Sequence, residues 1–266
     1  MGEILGQKIL LISGKKQSGK DSAANFLTGY LLRRAGIIEL FELDEFGNLL
    51  IDIEVQDPQT GNKVKELGLL DLNRKDIEYA KYANKNIWPI VKPEHFGDIL
   101  KEVTMILFGL EREKLWGTDN NKNELTHIKW VDIYKLCPEI ESKRLEEGKS
   151  GIYLTYREML EVFGTDICRI IYNECWVQAL FRNVIMQGYP FIVIADCRFP
   201  HEIEYAKSLG AKVVRLTRNP KGGSHFAETA LDDYVGFDHI IDNTDMTQEE
   251  KGVELINYLR SIGWIS

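Results

Sequence analysis

The sequence predicts an α/β fold: a parallel sheet covered by helices on both faces. Three observations carry this. Short apolar runs suited to buried parallel strands recur at Lys8–Ser13, Pro190–Ala195 and Lys212–Thr217. Segments of helical spacing separate them, which implies βαβ crossovers. A glycine-rich turn, Gly14–Lys20, joins the first run directly to a helix.

The elements follow in order. After the turn, Asp21–Arg34 reads as a helix with Ala24, Leu27 and Leu31 on one side. Residues 37–67 change character. Ile51, Ile53 and Val55 alternate with Asp52 and Glu54, the period of a strand. Ile38–Leu43 is the expected partner, with turns near Gly47-Asn48 and at Pro58–Asn62. This is the pattern of a β-hairpin insertion. Its acidic face could bind a partner or second subunit, though a surface ornament is the commoner meaning of such an insertion. Residues 86–92 suggest another strand, against which Pro89 counts. Phe96–Phe108 is helical and ends at Gly109. Gly117–Asn123 reads as a polar loop, and residues 138–151 as charged and exposed. Thr155 and Glu158 form a capping box that starts a helix, with Gly164 as its stop. Thr165 caps the next helix, to about Gln187. Pro200 suits the first turn of a helix closing at Gly210. His239–Ile241 is a last short strand, and Thr247–Ser261 a C-terminal helix.

Composition narrows the function classes. Of 266 residues, 44% are hydrophobic and 28% charged, the balance of a soluble globular chain able to bury a core. The net charge is −8, from 41 acidic and 33 basic residues. A general nucleic-acid binder is usually basic, so phosphate-binding charge must be local here. No apolar stretch approaches the ~20 residues of a membrane span, and Met1–Gln7 does not read as a signal peptide. The cysteines, Cys137, Cys168, Cys175 and Cys197, form no CxxC pair and read as buried free thiols.

The turn Gly14-Lys15-Lys16-Gln17-Ser18-Gly19-Lys20 fits G-x-x-x-x-G-K, the Walker A pattern of a P-loop. Glycines let backbone amides approach phosphate oxygens, and the following helix points its positive end at the same place. Gly14, Lys15, Gln17, Ser18, Gly19, Lys20, Asp21 and Ser22 are the expected ATP-binding residues, with Lys20 on the β- and γ-phosphates. Asp21 stands where Ser or Thr usually ligates Mg²⁺, and Ser22 comes one place later. Asp21 either holds magnesium through water or caps the helix and leaves the metal to others.

Ligands of open parallel sheets bind beyond the carboxyl ends of strands. One strand enters the P-loop, one enters Asp196-Cys197-Arg198, and one enters Arg218. Asp196, directly after an apolar strand, suits a Walker B metal ligand. Asp166, Arg169, Asn173 and Trp176 fall on one side of the predicted 165–187 helix. They read as a substrate face, with arginine for a phosphate and Trp176 for a base, or as a solvated face with one packed aromatic. Arg157 and Lys101 are candidate acceptor-phosphate clamps, with surface solvation the other reading for Lys101. Lys221, Gly222, Gly223, His225 and Glu228, within residues 218–235, suit a lid or a merely flexible loop.

GKKQSGKDS, REMLEVFGTDICR, IADCRFPHEIEYAKSLGAKVVRLTR and HFAETALDDY together resemble the deoxynucleoside monophosphate kinases of large bacteriophages. FGDILKEVTMILFGLEREKLWGTDNNK resembles their acceptor-side segment. The likeness covers most of the chain outside 37–67, and the Lys20-Asp21 junction is shared with that family. It implies one P-loop kinase domain over 1–266, a three-layer P-loop NTPase fold with a five-stranded parallel sheet, a helical acceptor-binding region (95–187) and a lid. It implies ATP, Mg²⁺, a deoxynucleoside monophosphate acceptor, an infected bacterium's cytoplasm and a homodimer. Lys20, Arg157, Arg169, Arg198 and Arg218 are then the catalytic set, and Lys101, Arg157, Asp166, Arg169, Asn173 and Trp176 the substrate set. Asp196 and Asp21 are the metal set. The alternatives are a kinase for another phosphorylated acceptor, since phosphomevalonate kinases carry a similar loop, and a non-catalytic ATP-binding switch.

Overall fold

The computed structural model describes residues 6–57, 61–74, 76–146, 148, 150–219 and 229–266. They divide into two compact units, Met1–Phe96 with Leu180–Ser266, and Gly97–Ala179.

The first unit is built on a five-stranded sheet of β1 (Lys8–Ser13), β5 (Lys92–Glu94), β8 (Phe191–Cys197), β9 (Lys212–Leu216) and β10 (His239–Ile241), in the order β10-β9-β1-β8-β5. Every pairing is parallel. Continuous apolar runs at β1 and β8 follow from burial on both faces. The strand expected over 86–92 starts only at Lys92. Ile87 and Val91 are buried, but in a turn after helix α2 (Ile77–Asn86). β5 is an edge strand, where Pro93 can be tolerated without an N–H.

Helix α1 (Lys20–Arg34) carries Asp21 in its first turn and Arg33 and Arg34 in its last, matching its dipole. Its apolar side shares a core with β1, β8 and the C-terminal helix. The insertion is a three-stranded antiparallel sheet, β2 (Phe41–Leu43), β3 (Leu49–Gln56) and β4 (Lys63–Leu69), so the expected hairpin gains a third strand. It lies close on α1 because Gly29 has no side chain: a Cβ there would stand 2.5 Å from the Phe41 ring. Leu49 and Ile51 join the core beneath. The expected turn at Pro58–Asn62 falls partly outside the described residues.

The second unit comprises α3 (Phe96–Phe108, entered after its first residue), short helices α4 (Arg112–Leu115), α5 (Asp119–Lys122) and α6 (Trp130–Tyr134), α7 (Pro138–Glu146) and α8 (Tyr156–Glu161). Strands β6 (Leu125–Lys129) and β7 (Tyr153–Thr155) pair antiparallel. Part of the expected 117–123 loop is therefore helical, capped by Thr118. Segment 138–151 is not wholly exposed either. Arg144 is 6% exposed, pairs with Glu158 at 2.7 Å and lies 3.5 Å over the Trp130 ring.

Thr155 and Glu158 form the expected capping box. The helix does not stop at Gly164, and Thr165 does not begin another. α8 runs on as a π-helix over Val162–Arg169, and the break comes at 172–174, before α9 (Cys175–Gln187). Gly164 is not in the left-handed conformation of a stop. It serves close packing: a Cβ there would lie 2.6 Å from Leu100 of α3. The remaining helices, α10 (Pro200–Ser208) and α11 (Gln248–Ser261), belong to the first unit, and α11 opens with a Thr247–Glu250 capping box.

Candidate active site

The phosphate loop occupies the short passage from Ser13, the end of β1, to Lys20, the start of α1. Its tightness needs unusual backbone: Gln17 has φ 63° and Gly19 φ 90°. Gln17 is the only non-glycine residue with positive φ among the described residues, a strained position of the kind that gathers at ligand sites. Gly14 must lack a side chain because a Cβ would run into the Ser18 hydroxyl. The Lys20 ammonium bends over the loop and donates to the Gly14 and Lys15 carbonyls at 2.7 and 2.8 Å. Ser18 Oγ is buried without a hydrogen-bond partner.

Supports for this loop come from distant residues. Asn243, just beyond β10, donates from Nδ2 to the Ser18 carbonyl at 2.8 Å and accepts the Arg218 amide at 3.0 Å. Lys251 on α11 donates to Ser22 Oγ at 2.7 Å, and a Cβ on Gly19 would stand 2.5 Å from its Nζ. Burial, and then Arg218, lower the Lys251 pKa to about 8, with Asp21 opposing. Lys15 pairs with Asp232 at 2.8 Å, which Arg215 also approaches while donating to Ser13 Oγ. Sequence reading missed Asn243, Lys251 and Asp232. Thr247–Ser261 read only as a terminal helix, and nothing local marks a loop-facing lysine on it.

Strand register sets the neighbours. Ser13 pairs with Cys197 of β8 on one side and with Arg215 of β9 on the other. Asp196 therefore lies one residue from the register partner of the loop's first strand. Its Oδ1 accepts the Phe96 amide at 3.1 Å. Arg198 follows with its amide held by buried Glu202 at 2.8 Å and its side chain exposed. Arg218 and Asp21 are exposed as well. Burial pushes the Cys197 thiol well up, so it stays protonated; the other three cysteines are free and only half-buried, unlike the buried thiols expected. The expected lid residues Lys221, Gly222, Gly223, His225 and Glu228 lie outside the described residues.

The donor set fits a triphosphate with magnesium. Mg²⁺ usually takes one or two carboxylates and completes its shell with phosphates and water. Among the described residues no three His, Cys, Asp or Glu side chains gather as a cage. Asp196 on β8 and Asp21 in the first turn of α1 are carboxylates of the kind such a shell takes.

The second unit carries a cationic group. Arg157 is held by Asp119 at 2.8 Å and by Asn123 at 3.1 Å. Lys101 pairs with Asp98 at 3.2 Å, and Asp98 also accepts the Trp116 indole at 2.8 Å. Burial lowers the Lys122 pKa, and Lys101 and Arg157 lower it further, with Asp119 opposing. Three cations thus gather where sequence reading had named two; Lys122 was inside a recognised segment but unmarked. The proposed face of Asp166, Arg169, Asn173 and Trp176 is not continuous. Asp166 and Arg169 are on the π-helix, Asn173 is in the break, and Trp176 opens α9. The Trp176 indole is buried and donates to the Gly164 carbonyl at 2.8 Å, so it seals the helix break.

Comparison with known proteins gives a consistent picture. A family model described as deoxynucleotide monophosphate kinase matches residues 8–251. The deoxynucleotide monophosphate kinase of Escherichia phage RB69 is 21% identical over 263 residues, covering 91% of this chain and 96% of the relative. That of Enterobacteria phage T4 is 21% identical over 238 residues, covering 84% and 88%. With a P-loop between β1 and α1, an aspartate near the end of the neighbouring strand and a family match over most of its length, the chain belongs to the deoxynucleotide monophosphate kinase family.

Proposed function

We propose that this chain moves the γ-phosphoryl group of ATP onto a deoxynucleoside monophosphate, giving the diphosphate and ADP. The observation that carries this reading is the strained Gly14–Lys20 loop with Lys20 folded over it, in a chain matched to this kinase family from residue 8 to 251.

The attacking oxygen of a nucleotide phosphate is already anionic, so no general base is needed. The protein's task is positioning and charge neutralisation. Backbone amides of Gly14–Ser22 hold the triphosphate at the head of α1, where the helix dipole favours anions. Lys20 exchanges its carbonyl partners for phosphate oxygens and neutralises charge as the γ-phosphoryl leaves. Asp196 and Asp21 would hold magnesium, which would supply divalent positive charge against the phosphates. Arg157, Lys101 and Lys122 hold the acceptor phosphate, with Arg169 assisting; Arg198 and Arg218 serve the transferring group. The enzyme works in a host cytoplasm as a homodimer, with no nucleic acid or membrane involved. Among the described residues no helix is long and apolar enough to cross a membrane.

The test is ADP release measured with each deoxy- and ribonucleoside monophosphate and with phosphomevalonate. ADP release driven by deoxynucleotides is expected. Release only with phosphomevalonate, or ATP binding without acceptor-dependent release, would replace this reading with a different kinase or a switch.

A further inference from the structure

The tip of the insertion, the Asp44–Asn48 turn between β2 and β3, is anchored. Gly47 has φ 87°, and a Cβ on it would run into Ser22 of α1 and stand 2.8 Å from Gln248 Oε1. Its carbonyl accepts from Asn25 Nδ2 at 2.8 Å. Gln248 Nε2 donates to the Asp44 and Glu45 carbonyls at 3.1 and 3.2 Å. Asp44 Oδ1 in turn accepts the Phe46 and Asn48 amides at 2.9 and 2.8 Å. The backbone of Phe46 is thus fixed against the helix that follows the phosphate loop, yet its ring is 80% exposed. A large apolar ring held rigidly in water gives up the stabilisation that burial would bring, and it points to a ligand.

Phe46 borders a cavity of about 270 Å³. Val193 and Ala195 of β8 contribute to its apolar lining, and Asp21, Asn48, Asn73 and His95 bring polar groups to it. His95 Nε2 lies 3.1 Å from Asn73 Oδ1. The volume is just under the ~300–1,000 Å³ of whole-ligand pockets, so it suits the base end of a nucleotide. One flat aromatic face, with amides and an imidazole that donate and accept, is the chemistry that grips a nucleobase.

The phosphate loop has two flanks. Asn243, itself held by the Arg218 amide, supports it from the β9–β10 side, and this cavity lies on the β8–β5 side, the side of Asp196. Transfer between two nucleotides needs one on each flank. We propose that the insertion tip belongs to the acceptor-base pocket, with Phe46 stacking on the base and Asn48, Asn73 and His95 reading its edge. This rests on the acceptor being a nucleoside monophosphate, as proposed above. It makes the 37–67 insertion a specificity element for that acceptor.

The test is steady-state kinetics of full-length Phe46→Ala, Phe46→Trp and His95→Gln with four deoxynucleoside monophosphates. Base stacking is worth ~1–3 kcal/mol, so Phe46→Ala raises the acceptor KM roughly five- to hundredfold. The KM for ATP and the melting temperature stay unchanged, because the ring is exposed. Phe46→Trp restores the acceptor KM, and His95→Gln reorders the four bases by kcat/KM. An unchanged acceptor KM in Phe46→Ala overturns the proposal. So does a rise confined to the KM for ATP, which would give the cavity to the donor base. Wild-type enzyme showing no acceptor-dependent ADP release would overturn the kinase reading itself, and this inference with it.

Discussion

Replacing Lys251 with Met should make the protein more stable and a poorer ATP binder. Lys251 is 4% exposed, and it donates to the neutral Ser22 hydroxyl. Burial lowers its pKa to about 8 from an ordinary 10.5, so the folded chain disfavours the charged form. The gap corresponds to roughly 3 kcal/mol. Solvent near the loop screens part of it, and the hydrogen bond is lost in the variant, which leaves a net gain of about 1–3 kcal/mol. Met has a similar length without the charge. Ser22 Oγ keeps its 3.1 Å donation to the Gly19 carbonyl, so nothing buried is orphaned there. The sign follows from proton binding. Between pH 8 and 10.5 the unfolded chain holds more protons at this site than the folded one, so wild-type stability rises with pH across that window. Below pH 8 both states are protonated and the full penalty applies. Urea unfolding of both proteins at pH 7 and pH 10 measures it. The variant should lead by about 1–3 kcal/mol at pH 7, and the lead should shrink at pH 10. ATP affinity should fall, because a positive charge behind Gly19 and Ser22 is gone. A variant less stable than wild type at pH 7, or a lead unchanged by pH, would refute the reasoning.

Two other substitutions probe the supports. Asn243→Ala leaves the Ser18 carbonyl and the Arg218 amide without their partner in a site that is 1% exposed. It should cost about 2–3 kcal/mol in urea unfolding and raise the KM for ATP while sparing the acceptor KM. Arg144→Ala takes the cation from Glu158 Oε1, leaves that carboxylate only its Thr155 bonds and uncovers the Trp130 face, so it should destabilise by about 1–3 kcal/mol, seen as faster limited proteolysis within residues 97–179.

The parts of this molecule legible in sequence are those whose cause is local. KILLIS can be little but a buried strand, and GKKQSGK dictates its own turn, so β1, the loop and α1 fall where the residues place them. Thr155–Glu158 and Thr247–Glu250 cap through neighbours three residues away, and both boxes form as written. Failures arise where a distant partner decides. Gly164 looked like a stop, but Leu100 needs the space of its missing side chain, and the helix continues with π winding. Trp176 looked like a platform for a base, but its indole bonds the Gly164 carbonyl twelve residues back and closes the break. β4 was missed because KVKELGL is largely exposed and carries little apolar alternation. Lys251 and Asn243 reach the phosphate loop from more than two hundred residues away, and their types alone suggest an exposed helix and a turn.

The most direct test of the central claim follows the phosphoryl group. ATP labelled at its γ-phosphate is mixed with a deoxynucleoside monophosphate, magnesium and the enzyme, and the products are separated. The label should appear on the deoxynucleoside diphosphate, one per ADP formed, with Lys20→Ala slower by about 10²–10³-fold or more while keeping its fold. Label released as inorganic phosphate, or an undiminished rate in Lys20→Ala, would contradict the account.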